Sequence, residues 1–315
     1  RFKEDIGQFF WTPSEIFAKT FPDAKAAPDE LTVIAWILPQ TEQTRLDNSR
    51  EETLPAQRWA FSRKYGEDFN IKLRDHVVRV LGEAGCEAVA PMNSPLWKWE
   101  KSERYGFASS WSERHAAYAS GLGTFGLCDG LITPKGKAMR CGSVVARITV
   151  PPSERPYDDH HAYCLYYFDG SCGKCIKRCP VDAITKEGGH DKEKCFNYLH
   201  NVTEKYIESR YGFKTSPCGL CQTGVPCEAK NPVPGQNRTL GDRFRKGGVQ
   251  FRKASENIAM YPYKQGSNVK ITGTDRGTAQ DPVQLAADMM EGYMNSPGHR
   301  AHVLDPQVSK VGLGT

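Results

Sequence analysis

Eight of the 11 cysteines fall between positions 164 and 227. The stretch "CLYYFDGSCGKCIKRCP" (164–180) carries four and closes on a proline, and "SPCGLCQTGVPCEAKNP" (216–232) carries three, with Cys195 between them in "DKEKCFNYLH". A disulfide framework usually spreads its cysteines through a small secreted domain, so crowding of this kind points to metal. The spacing Cys172-x2-Cys175-x3-Cys179-Pro180 follows ferredoxin-type segments that wrap a 4Fe–4S cluster, in which the last cysteine serves the neighbouring cluster. Short gaps let one turn aim successive thiolates and backbone N–H groups at a single centre, and the proline suits the start of the next helix. The interval from Cys164 to Cys172 is the one departure from that pattern. By the crossover rule, Cys164, Cys172, Cys175 and Cys227 are expected to hold one cluster and Cys179, Cys195, Cys218 and Cys221 the other. Structural zinc on the two C-x2-C pairs is the alternative, followed by disulfides. A pair of clusters reads as an electron relay, with purely structural clusters as its alternative.

The elements that must position these thiols are legible in outline. A chain of 315 residues can hold two or three domains. Residues 1–150 read as α/β: "LTVIAWILP" (31–39) as a buried strand, "IKLRDHVVRVLGEAG" (71–85) as a helix stopping at Gly85, "CEAVAPM" as the next strand. A helix, a glycine-rich turn and strands around "GLIT" and "GSVVARITV" follow, up to residue 150. The proline-containing connector 150–161 leads into a ferredoxin-like module over 151–232, and "NPVPGQN" leads out of it to a cysteine-free segment, 233–315. Cys128 and Cys141 read as buried free thiols, and His160 and His161 as polar connector residues rather than a metal pair.

No apolar run approaches the roughly 18 residues of a membrane span, so a soluble protein is expected. The net charge of +5 is mild, and the basic stretch 238–253 reads as a solvated face, so no nucleic-acid partner is expected. No leader is recognisable. The expected compartment is the cytoplasm, or an exported folded protein had a leader preceded Arg1.

The stretch 112–232 resembles the iron–sulfur family that contains epoxyqueuosine reductase and, more distantly, the corrinoid reductive dehalogenases. "ERHAAYASGLGTFGLCDGLITPKGKAMRCGSVV" (113–145), "CGKCIKRCPVDAI", "KCFNYL" and "CGLC" carry the likeness, with Glu113 and Arg114 ahead of an alanine-rich helix that ends in Gly121-Leu122-Gly123. The resemblance implies a nitroreductase-like, cobalamin-binding α/β domain docked on a two-cluster ferredoxin-like module. It implies a reductase that passes electrons to cobalamin for reductive cleavage of a small organic substrate, fed by an external donor of ferredoxin or flavodoxin type. Gly121, Gly123, Gly126, Lys137 and Arg140 are the expected cofactor contacts. The acid that epoxyqueuosine reductases carry before the glutamate has no counterpart in "YGFASSW" (105–111), which argues against the queuosine reaction. Tyr105 and Tyr118, with Arg114, are the expected catalytic residues in the manner of the dehalogenases, Lys135 being a further basic neighbour. An electron-transfer protein of ferredoxin type without cobalamin is the alternative.

The C-terminal segment resembles the CAP superfamily through "SENIA" and "NSPGHRAHVLDP". Glu256 and His299 match two members of that family's cavity tetrad, and nothing here supplies the other two. The segment is too short for a whole CAP sandwich: residues are missing at the junction, or the tail packs on something else, or two polypeptides are joined in one sequence. A secreted CAP-type binding protein is the weaker third reading.

Overall fold

The run Leu31–Pro39 is apolar on both sides because both its faces are covered. The computed structural model describes residues 2–153 and 155–235 and the backbone of a two-residue strand at 258–259. In chain order the helices are α1 (Phe2–Ile6), α2 (Pro13–Thr20), α3 (Glu42–Ser49), α4 (Gln57–Glu83), α5 (Glu113–Ala119), α6 (Leu165–Asp169), α7 (Lys174–Lys177), α8 (Lys192–Tyr198) and α9 (Glu204–Tyr211). The strands are β1 (Leu31–Pro39), β2 (Ala88–Val89), β3 (Trp99–Ser102), β4 (Gly106–Ser109), β5 (Thr124–Phe125), β6 (Leu131–Ile132), β7 (Met139–Arg147), β8 (Ile184–Thr185), β9 (Gly189–His190) and β10 (Ile258–Ala259). The chain is thus a mixed helix-and-sheet protein.

The main sheet runs β10-β1-β7-β2, and every pair in it is antiparallel. β1 and β7 pair over their whole length, with Val33 opposite Val145 and Ile37 opposite Cys141. Alternate residues therefore serve different layers. Ile34, Trp36, Val144 and Ala146 pack against Phe69, Leu73, Val77 and Leu81 of α4. Ala35, Ile37 and Cys141 face Ala117 and Leu131 on the other side. Val77, Leu81 and Val144 are fully buried, and each contributes about 1.5–3 kcal/mol. The expected strand at 31–39 and the helix stop at Gly85 hold, and the helix begins earlier, at Gln57. Gly66 inside it does not break it: the glycine leaves room for the Arg140 side chain, whose Nε would lie 3.0 Å from an added Cβ.

The apolar layer beneath β1 does not stop at residue 150. Tyr118, Leu127 and Ile132 pack in the same cluster as Tyr157, Tyr163, Cys164, Cys175 and Ile184. The cysteine-bearing segment is welded to the sheet by one shared core, and the β5–β6 hairpin lies at the seam. Close packing there makes Gly123 exacting, because a Cβ would overlap the Ile132 carbonyl across the hairpin. Gly123→Ala is expected to destabilise the fold by about 1–3 kcal/mol. Denaturant unfolding measures this, and a midpoint equal to wild type would contradict it.

Among the described residues no helix is long and apolar enough to cross a membrane.

Candidate functional site

All eleven cysteines are free thiols. Cys164, Cys172, Cys175 and Cys227 line one cavity, together with Lys137 and Gly126. These are the four residues expected to share the first cluster. The long interval after Cys164 is taken up by α6, which Cys164 begins and Gly170 ends in the left-handed region at φ 73°. One extra helical turn thus returns the chain to the cavity at Cys172.

The second group gathers from separate elements. Cys195 stands on α8, whose first N–H groups are capped by Asp191, with Glu193 N and Lys194 N each donating at 3.0 Å. Cys179 accepts an N–H bond from Ala183 at 3.2 Å. Cys218 is close enough to Cys195 and Cys179 for their charges to act on it. Cys221 lies between the groups, beside Cys128 and in the field of Cys218. Among the described residues no three His, Cys, Asp or Glu donors gather at single-ion distance.

The loops carrying both groups are held by Arg178, which spacing alone did not single out. It donates to Leu220 O (3.2 Å), Thr223 O (3.1 Å), Glu51 O (2.7 Å) and Asn48 O (3.1 Å). Asn48 in turn donates to Cys218 O at 3.3 Å and Thr223 Oγ1 at 3.0 Å. The residue before Cys179 thus pins the second cysteine loop and the end of α3 in one network.

Burial pushes the Cys218 thiol up to about 12 and the Cys227 thiol up to about 11. Thiolates form there only when a cation replaces the proton, as a coordinated metal does. Cys128 behaves differently. Hydrogen bonds from Cys175 and Cys221 hold it well below the usual thiol range, and Lys137 adds to the effect. Burial pulls on the Lys137 ammonium, but the sulfurs of Cys128, Cys227, Cys221 and Cys175 keep it charged. A sulfur-lined cavity with a buried cation in its wall suits an anionic iron–sulfur cluster, so this donor set fits that group.

The expected cofactor contacts for cobalamin are engaged within the chain. Gly121 turns the backbone at φ 80° after α5. Gly123 and Gly126 face Ile132 of their own hairpin, and Lys137 lines the cysteine cavity. Arg140 bonds Glu67 at 3.0 Å and the carbonyls of Ser62 and Arg63 on α4.

The expected catalytic residues separate. Tyr118 is buried, stacks on Tyr157 at 5.4 Å between ring centroids, and belongs to the core. Tyr105 and Arg114 share a polar group with three residues that spacing missed. Arg114 donates to Asp129 O at 2.6 Å, His190 Nδ1 lies 3.2 Å from Asp129 Oδ2, and the Lys192 ammonium sits 4.8 Å above the Tyr105 ring. Asp129 adopts a left-handed φ of 54°, a costly conformation for a non-glycine residue. Burial raises the Tyr105 phenol, keeping it protonated at neutral pH. Lys135 lies exposed on the turn before Gly136. His161 pins the connector, its Nδ1 lying 2.9 Å from Phe125 O and its ring stacked on Tyr167.

Behind this group lies a buried charged network. Arg74 donates to Glu113 (3.0 Å), Glu67 (2.7 Å) and Asn93 (2.8 Å), and Ser143 donates to Glu113. Burial lifts the Glu113 carboxyl to about 7 against the pull of Arg74 and Ser143.

Fold and site together define a class: a mixed helix–sheet protein in which two groups of thiols meet across a shared core. Within that class the chain is similar to epoxyqueuosine reductases. It is 28% identical to that of Bacillus anthracis over 167 residues, 51% of this chain and 39% of that protein. It is 26% identical to that of Gloeobacter violaceus over 178 residues, 54% of this chain and 48% of that protein. The chain thus spans less than half the length of these curated relatives. Among solved structures it is similar to epoxyqueuosine reductase from Bacillus subtilis, with TM-score 0.36 and 15% identity, covering 72% of this chain and 61% of that one. A crystal structure of epoxyqueuosine reductase with an epoxyqueuosine-modified tRNA-Tyr stem loop gives TM-score 0.37 and 15% identity, covering 94% of this chain and 75% of that one. Residues 238–315 match the model of the cysteine-rich secretory protein family, CAP. Apart from the backbone of Ile258–Ala259, that match, with Glu256 and His299, lies outside the described residues.

The expectation of a small-molecule substrate without nucleic acid is corrected here, because the last of these solved reductases holds a tRNA stem loop. A net charge of +5 says little on the point, since the local potential around a cleft governs what a surface attracts, more than the sum over the chain.

Proposed function

We propose that this chain is an iron–sulfur oxidoreductase of the epoxyqueuosine reductase type, acting on a modified nucleoside in a tRNA stem loop. The observation that carries the reading is the cavity that brings Cys164, Cys172, Cys175 and Cys227 together with the buried Lys137. When bound, paired 4Fe–4S clusters supply one-electron transfers. The first four-cysteine set would hold one cluster and Cys179, Cys195, Cys218 and Cys221 the other, with Arg178 fixing both loops. Tyr105 is the proton donor proposed in place of the acid missing from 105–111, its phenol held under the Lys192 ammonium. Arg114 fixes the Asp129 turn beside it.

The test is anaerobic isolation or reconstitution of the chain, followed by iron and sulfide analysis. The product is then incubated with an epoxyqueuosine-containing tRNA stem loop and dithionite, and the nucleoside is weighed by mass spectrometry. About eight irons per chain and a nucleoside lighter by one oxygen are expected. Protein that takes up zinc and no iron would overturn the reading at its base.

A second reading, electron transfer without cobalamin, is favoured by the commitment of Gly123, Gly126 and Arg140 to contacts within the chain. Full clusters, no corrinoid uptake and an unchanged nucleoside would select it.

A further inference from the structure

Lys137 is among the most deeply buried charges of the described chain, 3% exposed. Its place is built in detail. Its backbone N–H donates to Cys227 O at 2.7 Å, and the next residue, Ala138, donates to Glu228 O at 3.0 Å. The backbone before β7 is thereby fastened to the last cysteine of the cavity. Its aliphatic stem runs over Gly130, where an added Cβ would lie 2.6 Å from Lys137 Cδ. Its Nζ stands 3.1 Å from Cys128 Sγ. A buried ammonium is costly without an anion, and the groups that act on this one are sulfurs, those of Cys128, Cys227, Cys221 and Cys175. Two of these, Cys175 and Cys227, line the cavity.

A cluster held by four thiolates gains one negative charge on reduction. A fixed cation in a low-dielectric wall favours the more negative state, and net charge is one of the levers that set cluster potential. The cavity-side group has this cation built into it, whereas Arg178 beside the second group spends its guanidinium on backbone carbonyls.

We propose that Lys137 is a positioning residue of the cavity-side cluster: a built-in counter-cation that raises its reduction potential, with Cys128 as the sulfur that orients the ammonium rather than a cluster ligand. This rests on the cluster reading above. Electrons then collect at the Cys164 side of the relay.

The experiment is a potentiometric titration followed by electron paramagnetic resonance on the anaerobically reconstituted full chain, for wild type, Lys137→Met, Lys137→Arg and Cys128→Ala. Lys137→Met is expected to lower one midpoint by at least tenfold in the reduction equilibrium, about 59 mV for a one-electron couple, and the other by less. Lys137→Arg should restore most of that shift. Cys128→Ala, which removes the competing acceptor, should keep the full iron content and move the same midpoint upward. Lys137→Met with full iron and both midpoints in place would overturn the role of Lys137. If Lys137→Met fails to load iron, Cys128→Ala decides: an upward shift supports the proposal, and an unmoved midpoint or loss of a cluster overturns it. Wild type without iron would instead refute the cluster reading itself, so the two failures are distinct.

Discussion

Cys175→Ala is expected to reduce the reconstituted chain from about eight irons to about four, while the second group keeps its cluster. Cys175 is buried on α7, in the wall of the cavity that Cys164, Cys172 and Cys227 complete. Its loss opens that cavity on one side and leaves one iron of the cluster without a protein thiolate, which weakens retention of that cluster. The matched control is Cys141→Ala. That thiol is equally buried, donates to Met139 Sδ at 3.4 Å, and is pushed up to about 12 by burial. Removing it should leave the iron content untouched and cost about 1 kcal/mol in packing. Elemental analysis of the three proteins in parallel reads the result. Equal iron in wild type and Cys175→Ala would remove Cys175 from the ligand set, and loss of iron in Cys141→Ala would show that the two classes of cysteine had been misjudged.

The largest effect on stability is expected at Arg74. Its side chain is almost wholly buried and holds Glu113, Glu67 and Asn93 at once. Arg74→Met leaves the buried Glu113 carboxyl without its cation, a change that costs roughly 3–5 kcal/mol. The deficit should depend on pH in a fixed direction. Glu113 already has a folded-state value near 7, above its ordinary 4.5, and without Arg74 it goes higher. A carboxyl raised in the folded state favours folding while it is protonated. That contribution is complete below pH 4.5 and is lost as pH rises through the folded value. The deficit is therefore greatest at pH 8 and shrinks towards pH 5. Urea unfolding of both proteins at the two pH values measures it. A deficit under about 1 kcal/mol, the range of a surface pair, or one that grows on acidification, would contradict the account.

The eight clustered cysteines were legible as candidate ligands from spacing, because cluster ligation demands short fixed gaps in the chain and a proline to end the loop. The same is true of β1, whose unbroken apolar run declares a strand covered on both faces. Other features were not legible. The gap after Cys164 is a departure in the sequence and a single turn of helix in the structure, since chain length says nothing about direction until the turn and the left-handed Gly170 are known. Arg178 looks like any surface arginine beside a cysteine, and only the folded chain brings four carbonyls to it. Tyr105 and Tyr118 are alike in the sequence, yet packing buries one in the core and leaves the other beside Asp129, Lys192 and Arg114.

By itself, then, the order of residues determined which atoms could bind metal and which segments had to be buried, because both depend on intervals along the chain. Only the tertiary structure decided that Lys137 stands against the sulfur of Cys128, that Arg178 ties the second cysteine loop to the end of α3, and that the cysteine segment and the sheet share one core. Those are matters of packing between residues far apart in sequence, and no local spacing encodes them.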